Sequence, residues 1–251
     1  MKPITIVSAT TLQHNSTKKA IERTIAALPV PVKEVIVFGN KPLIEGATFV
    51  ETKISSFYDY NQLILKGIDD YINTDHFLIV QYDGFAVNKN LWDKAFLKYD
   101  YIGAPWPHVT PGGISCGNGG FSLRSKKLSS ILKNDSVIQL DQNNSLQKNE
   151  DQVICNFFGD YLAKEYQIKF APRELAGKFS FEKSKVGAPG ETFGMHAIWN
   201  VPLYLSEEET LEVFKEIKTL AQKPYDKTLR NCAKQNYQYA FNYVKTNIKV
   251  S

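Results

Sequence analysis

Cysteine is scarce in this 251-residue sequence, and the three that occur, Cys116, Cys155 and Cys232, are odd in number and far apart. No CxxC spacing offers zinc a pair of thiolates and no disulfide framework staples the chain, so a reducing compartment is expected. Long apolar runs are missing too: nothing approaches the roughly 20 residues that a membrane span requires. Met1-Lys2-Pro3-Ile4-Thr5-Ile6-Val7 runs directly into a strand pattern with no signal-peptide cleavage pattern, which points to a cytoplasmic location. Nor is there a large excess of one charge. The 30 Lys and Arg are interspersed with 26 Asp and Glu, for a net of +4, a balance that argues against a dedicated DNA-binding surface and suits a phosphate-bearing ligand. Internal repeats and low-complexity segments are absent. A hydrophobic content of 43% with 22% charged residues excludes disorder.

What is present is an alternation of strand and helix signals. Residues 3–9 read as a buried strand. Residues 16–28 have helical spacing (Ala20, Ile21, Thr24, Ile25, Leu28) that stops at Pro29. A second strand follows over 34–38, a short segment over 47–51, a helix marked by Leu63, Ile64, Ile68, Tyr71 and Ile72, and a strand ending at Gln81. This order predicts an α/β fold with a mostly parallel sheet flanked by helices. Short strands are expected over 99–104 and 120–124, separated by a Pro-, Gly- and Trp-rich loop over 105–113 that reads as a binding element. Residues 135–149 are polar with few core positions and read as a mobile surface loop. Val153, Ile154, Phe157, Phe158, Tyr161 and Leu162 then follow helical periodicity, which puts Glu150 and Asp151 in a first turn. From Glu207 onward two helices broken near Pro224 are expected, the second carrying Tyr237, Tyr239, Phe241 and Tyr243. The expected organisation is a main domain over 1–205 with a C-terminal helical extension over 206–251 packed on it.

Four segments concentrate the chemistry. The apolar run from His76 ends in Gln81-Tyr82-Asp83-Gly84, delivering one carboxylate to the rim of a sheet, where sites in α/β proteins lie. Asp-Gly is also an ordinary hairpin signal. Gly117-Asn118-Gly119-Gly120 permits close backbone approach to a ligand. Glu150-Asp151 adds two acids, which the helix dipole alone would favour. Phe193-Gly194-Met195-His196 adds an imidazole, with packing beside Trp199 as its plain alternative. Together these suit a charged, polyhydroxylated ligand.

The order of these signals resembles the GT-A glycosyltransferases, whose fold is a Rossmann-type, mostly parallel sheet. Tyr101-Ile102-Gly103-Ala104-Pro105-Trp106, the segment Gly117 to Arg124, Glu150-Asp151 and Phe193-Gly194-Met195-His196 narrow the resemblance to the DUF5672 family, over about Ile4 to Asn200. It implies transfer of a sugar from a nucleotide sugar, a UDP-sugar being favoured, to a hydroxyl of a glycan, a glycolipid or a nucleic-acid base. Gln81-Tyr82-Asp83 stands where such enzymes carry D-x-D. Asp83 matches the acid that binds Mn²⁺ or Mg²⁺, and Gln81 replaces the other acid, so metal dependence is left open.

The resemblance assigns the remaining roles. The leaving diphosphate needs a cation, with Asp83 and His196 as ligands. The acceptor hydroxyl needs a base, and Asp151 takes that role in an inverting reaction, with Glu150 beside it for acceptor hydroxyls. Ser8, Ala9, Thr10, Gln81, Tyr82, Gly119 and Gly120 would bind the donor, and Trp106, Asn118 and Trp199 the acceptor. Arg124 and Arg173 are further candidates for phosphate contact, with structural or solvated roles favoured. A retaining outcome, a sugar nucleotidyltransferase and a non-catalytic glycan-binding module are the alternatives. Ser8-Ala9-Thr10-Thr11-Leu12 lacks the glycine-rich loop of the nucleotidyltransferases, and Gln81 is the residue that favours the binding module.

Overall fold

Ile4, Thr5, Ile6 and Val7 are all buried, as a strand covered on both faces must be, and the sheet is built outward from them. The computed structural model describes residues 2–110, 112–145, 147–183, 188–235 and 237–251. Its elements are β1 (Ile4–Thr10), α1 (His14–Ala27), β2 (Val32–Gly39), β3 (Thr48–Glu51), α2 (Phe57–Gln62), β4 (His76–Ile79), β5 (Gly84–Ala86), β6 (Tyr101–Gly103), β7 (Ser122–Ser125), α3 (Lys126–Asn134), α4 (Glu150–Gln152), α5 (Gly159–Tyr166), α6 (Arg173–Phe179), β8 (Ser180–Phe181), β9 (Gly194–His196), α7 (Glu207–Lys215), β10 (Thr219–Leu220), α8 (Gln222–Lys234), α9 (Gln238–Asn247) and β11 (Lys249–Val250).

The main sheet has the order β3-β2-β1-β4-β7-β6. β1 pairs in parallel with β2 and β4, and β2 with β3, whereas β7 runs antiparallel to both β4 and β6. Strand alternation sends Ile4 and Ile6 to one face, where they pack with Ala20 and Ile21 of α1. Val7, Ile36, Phe38, Phe77 and Ile79 form the other face, against Ile64, Ile68 and Ile72. β1 has β2 on one side and β4 on the other, so the sheet has its switch point at the carboxyl ends of β1 and β4. A crevice opens there by topology. A three-stranded sheet, β5-β9-β8, closes the far side of that crevice.

Local chemistry sets the element ends. α1 stops at Leu28, ahead of Pro29, because the residue before proline disfavours helix. Ser56, Ser125 and Ser206 cap α2, α3 and α7 by accepting from Asp59, Leu128 and Glu209 N–H groups. α1 has no side-chain cap of its own. The Glu216 carboxylate, just beyond α7, accepts instead from the N–H groups of Asn15 (3.0 Å) and Ser16 (2.8 Å), so the C-terminal helices complete the helix that follows β1.

Several expectations change. The strand before Asp83 ends at Ile79, and Gln81 is held by a bridge to Gly84. The helix expected around residues 63–72 starts at Phe57 and continues as a π-helical turn over Leu63–Gly67. The periodic segment after Asp151 likewise divides into α4, a π-helical turn over Val153–Phe157, and α5. α3 and α6 carry no expectation, and the tail forms three helices. Pro224 does not break it: it is the third residue of α8, where a missing N–H costs nothing. Residues 135–149 are anchored, since Ile138 is fully buried and the Tyr161 and Tyr166 hydroxyls donate to Asp135 (2.8 and 2.9 Å). Pro111 of the loop over 105–113 and Leu146 of that over 135–149 lie outside the described residues.

Candidate active site

A cavity of about 720 Å³ occupies the switch-point crevice. Its walls come from the loop after β1, the entry to α2, the turn after β4, the Asn118–Gly120 loop, α4, Glu182 with Lys183, and His196.

The turn after β4 positions the first acid. Gln81 and Gly84 exchange backbone hydrogen bonds (2.9 and 3.0 Å), which throws Tyr82 and Asp83 out at the tip, so the hairpin signal in Asp-Gly and the placement of a carboxylate are one feature. Gly84 faces His196 across β5 and β9, and Asp83 Oδ1 and His196 Nε2 stand 4.0 Å apart. Ala197 follows with φ of 89°, a conformation that costs an alanine about 1–3 kcal/mol. Its N–H donates to the Asp83 carbonyl (2.8 Å), which fixes the two segments together. Burial pushes the Asp83 carboxyl pKa up. Nδ1 of His196 is buried and has no hydrogen-bond partner among the described residues.

The second acidic group rests on a buried ion pair. Arg124, 1% exposed, donates from Nη2 to Glu150 Oε1 (2.7 Å) and to the Gly119 carbonyl (3.3 Å), and its guanidinium lies 5.0 Å from the Tyr101 ring centroid. Asn61 accepts from the Glu150 N–H (2.8 Å) and so holds the start of α4. The next residue, Asp151, accepts from Gly119 N–H (3.2 Å) and Gln152 N–H (2.7 Å). Burial, then the Glu150 charge, push its pKa up to about 8. A helical turn that carries site residues thus runs directly into a π-helical turn twice, at α2 and at α4, and such turns gather at functional sites.

Glycine is required where the loop crosses these side chains. A Cβ on Gly119 would lie 2.3 Å from Glu150 Oε1, and one on Gly120 would lie 2.1 Å from His196 Nε2. Asn118 closes the loop by accepting from Gly120 N–H (3.2 Å) and donating to Glu182 Oε2 (3.2 Å). Gln81 donates to the Tyr60 hydroxyl.

Of the residues singled out in the sequence, Ala9, Thr10, Gln81, Tyr82, Asp83, Trp106, Asn118, Gly119, Gly120, Glu150, Asp151 and His196 line this one cavity. Ser8 does not: it is buried and donates to the Val80 carbonyl (2.8 Å). Trp199 does not either, because its ring packs under Lys227, whose Nζ is 4.3 Å from the centroid. Arg124 serves the interior, and Arg173 donates to the Trp106 carbonyl (2.8 Å). Sequence reasoning missed Tyr60, Asn61, Glu182 and Lys183, all of which line the cavity. Asn61 ahead of the apolar Leu63-Ile64 was the available signal for a buried polar group. Glu182 had none.

As a metal site, Asp83 and His196 offer one carboxylate and one imidazole aimed at each other. Among the described residues, no group of three or more His, Cys, Asp or Glu is arranged to hold an ion. Two protein donors suit a hard cation that keeps waters and substrate phosphates as its other ligands.

The family model described as "Protein of unknown function (DUF5672)" matches residues 44–196, more than half of the chain. The chain belongs to the DUF5672 family. The match lies inside the span from Ile4 to Asn200 that carries the sequence motifs and leaves β1, α1 and β2 outside it. Comparison with curated proteins gives no match. Among solved structures, this DUF5672 chain is similar to the galactosyltransferase LgtC in complex with donor and acceptor sugar analogues, with a TM-score of 0.53 and 12% identity over 89% of this chain and 100% of that one. An active-site mutant of LgtC gives 0.50 and 14% identity with the same coverage. The glucosyl-3-phosphoglycerate synthase of Mycobacterium tuberculosis, solved with Mn²⁺, UDP and phosphoglyceric acid, gives 0.34 and 11% over 50% of this chain and 56% of that one. The chain spans about half the length of the mycobacterial structures it matches. The fold is that of the GT-A glycosyltransferases. No helix among the described residues is long and apolar enough to cross a membrane.

Proposed function

We propose that this protein transfers a sugar from a nucleoside-diphosphate sugar to an acceptor hydroxyl, with inversion at the transferred carbon. The observation that carries the reading is the convergence of Asp83 with His196, and of Asp151 with the Gly119–Gly120 turn, in one cavity at the switch point of a GT-A sheet.

Ala9 and Thr10 line the end that receives the nucleotide, and Gln81 adds an uncharged amide. Asp83 and His196 are the residues that would hold Mn²⁺ or Mg²⁺. Such an ion, when bound, offsets the charge that develops on the leaving diphosphate. The backbone of Gly119 and Gly120, free of side chains, lets the sugar lie against the loop. Asp151 takes the proton from the acceptor oxygen as that oxygen bonds to the sugar carbon and the bond to the diphosphate breaks. The N–H groups of Gly119 and Gln152 fix its orientation. Glu150, paired with Arg124 (2.7 Å) and almost fully buried, holds the start of α4 beside Asp151 instead of contacting an acceptor hydroxyl. The acceptor is a glycan, a glycolipid or a nucleic-acid base, and a UDP-sugar is the favoured donor.

Ligand-dependent melting tests this. With Mn²⁺ and UDP at about 100 times the dissociation constant, stabilisation of about 2.7 kcal/mol raises the midpoint by about 5–10 °C for a chain of this size. Asp83→Ala is expected to lose the Mn²⁺-dependent part of the shift. If no nucleoside diphosphate shifts the wild type, with or without Mn²⁺, the transferase reading is wrong.

A further inference from the structure

The net charge of this chain is small, but its distribution is not even. The last thirty residues, Gln222 to Ser251, carry six Lys and Arg against a single Asp, a net of +5 where the whole chain has +4. Four of those cations, Lys223, Lys227, Arg230 and Lys234, follow the spacing i, i+4, i+7, i+11 within α8. At 100° per residue they fall within an arc of roughly 60°. Thr228 and Cys232 are buried on the opposite side, so the row faces outward, and none of the four has a carboxylate within 4.0 Å among the described residues.

This row adjoins the cavity. α8 packs on the turn Ile198–Leu203 that directly follows His196. Asn231 of α8 donates to the Trp199 carbonyl, and Lys227 lies over the Trp199 ring. Lys183, a cavity-wall residue, is paired with Glu182 at 3.2 Å. Lys227 is close enough to Lys183, Arg230 and Lys223 that their repulsion, after partial burial, pushes its ammonium pKa down. Glu182 offsets part of this charge, and the remaining excess of cations favours an external anion.

Resting on the glycosyltransferase reading above, we propose that the α8 row, continued by Lys183 into the cavity, is the docking surface for a phosphate-bearing glycan acceptor. Cations at intervals of about 4.5–6 Å along the helix suit a ligand with repeated anionic groups. Three of the four are lysines, which bind phosphate as point charges, so the row acts through charge and spacing and not through a bidentate fork. A single-stranded nucleic acid would call for exposed aromatic platforms along the row. Trp199 is the aromatic ring the row covers, and Lys227 already occupies its face.

The test is equilibrium binding of the full chain to a phosphorylated mannan oligosaccharide and to its phosphatase-treated form. Lys223→Glu/Arg230→Glu reverses two exposed charges, and Lys245→Glu/Lys249→Glu makes the same change in net charge elsewhere. Salt-sensitive binding of the phosphorylated probe is expected, weakened by about tenfold or more in the α8 variant and largely kept in the control variant and lost with the phosphatase-treated probe. Equal affinity of wild type and α8 variant, equal affinity for both probes, equal losses in both variants, or binding only to vesicles containing phosphatidylglycerol would overturn the proposal. The UDP-induced melting shift, read on the same samples, reports the cavity separately. A shift without phosphate-dependent glycan binding rejects this docking surface, and phosphate-dependent binding without any shift rejects the transferase reading while the anionic-glycan site stands.

Discussion

Asp151→Asn is expected to lower sugar transfer by about 10²–10⁴-fold, the usual contribution of a general base, while leaving affinity for the nucleotide intact. Asn keeps the volume, and its single amide oxygen can accept from one of the two N–H groups, that of Gly119 at Oδ2 or that of Gln152 at Oδ1, but not from both. The loss of proton acceptance dominates the expected effect. With its pKa raised to about 8 by burial and the Glu150 charge, Asp151 is protonated at neutral pH in the free protein. Transfer by the wild type therefore rises as pH increases through about 8 and then levels. Stability follows the opposite slope. Between the ordinary carboxyl range and about 8 the folded chain holds a proton that the unfolded chain releases, so this group's contribution falls as pH rises across that window. Asn removes both dependences. Initial rates from pH 6 to 9.5, with melting curves over the same range, check them. A variant with wild-type rates would move the base elsewhere in the cavity.

Arg124→Met is expected to destabilise the fold by about 3–5 kcal/mol, because it leaves the Glu150 carboxylate buried without its partner. Arg124 and Glu150 are 1% and 3% exposed, so water cannot replace the lost interaction. The loss reaches the site as well, since the same guanidinium holds the Gly119 carbonyl while the Gly119 amide donates to Asp151. Arg124→Met/Glu150→Leu is expected to recover most of the stability, as apolar replacement of a buried pair commonly does, without recovering transfer. Chemical denaturation of the two variants separates these effects. Equal stability of Arg124→Met and wild type would mean that the pair is not closed in solution.

The sequence was legible where burial and chemistry coincide along a short stretch. The strand before Asp83, the Gly119–Gly120 loop and the acids opening α4 each show as an apolar run or glycine cluster broken by a polar group, and all of them meet at one cavity. Boundaries were less legible. The π-helical turns keep an apolar face while shifting its phase, so periodicity read two continuous helices where the chain changes pitch. Trp199 was misplaced because an aromatic beside His196 looks like a sugar platform, and only the distant α8 shows that Lys227 covers it. Asn61 and Glu182 act through partners 89 and 64 residues away, Glu150 and Asn118, a relation no local window contains. The capping of α1 by Glu216 is of the same kind.

Nucleotide release from UDP-, GDP-, dTDP- and CMP-sugars, with Mn²⁺ or with chelator, compared between wild type and Asp83→Ala, tests the central claim most directly. Slow donor hydrolysis needs no acceptor, so an unknown acceptor does not mask the result. Release from one donor class, dependent on the metal and lost in Asp83→Ala, is the expected result. Absence of release from every donor, with no nucleotide shifting the melting midpoint, would contradict the claim and turn the cavity into a binding site without transfer.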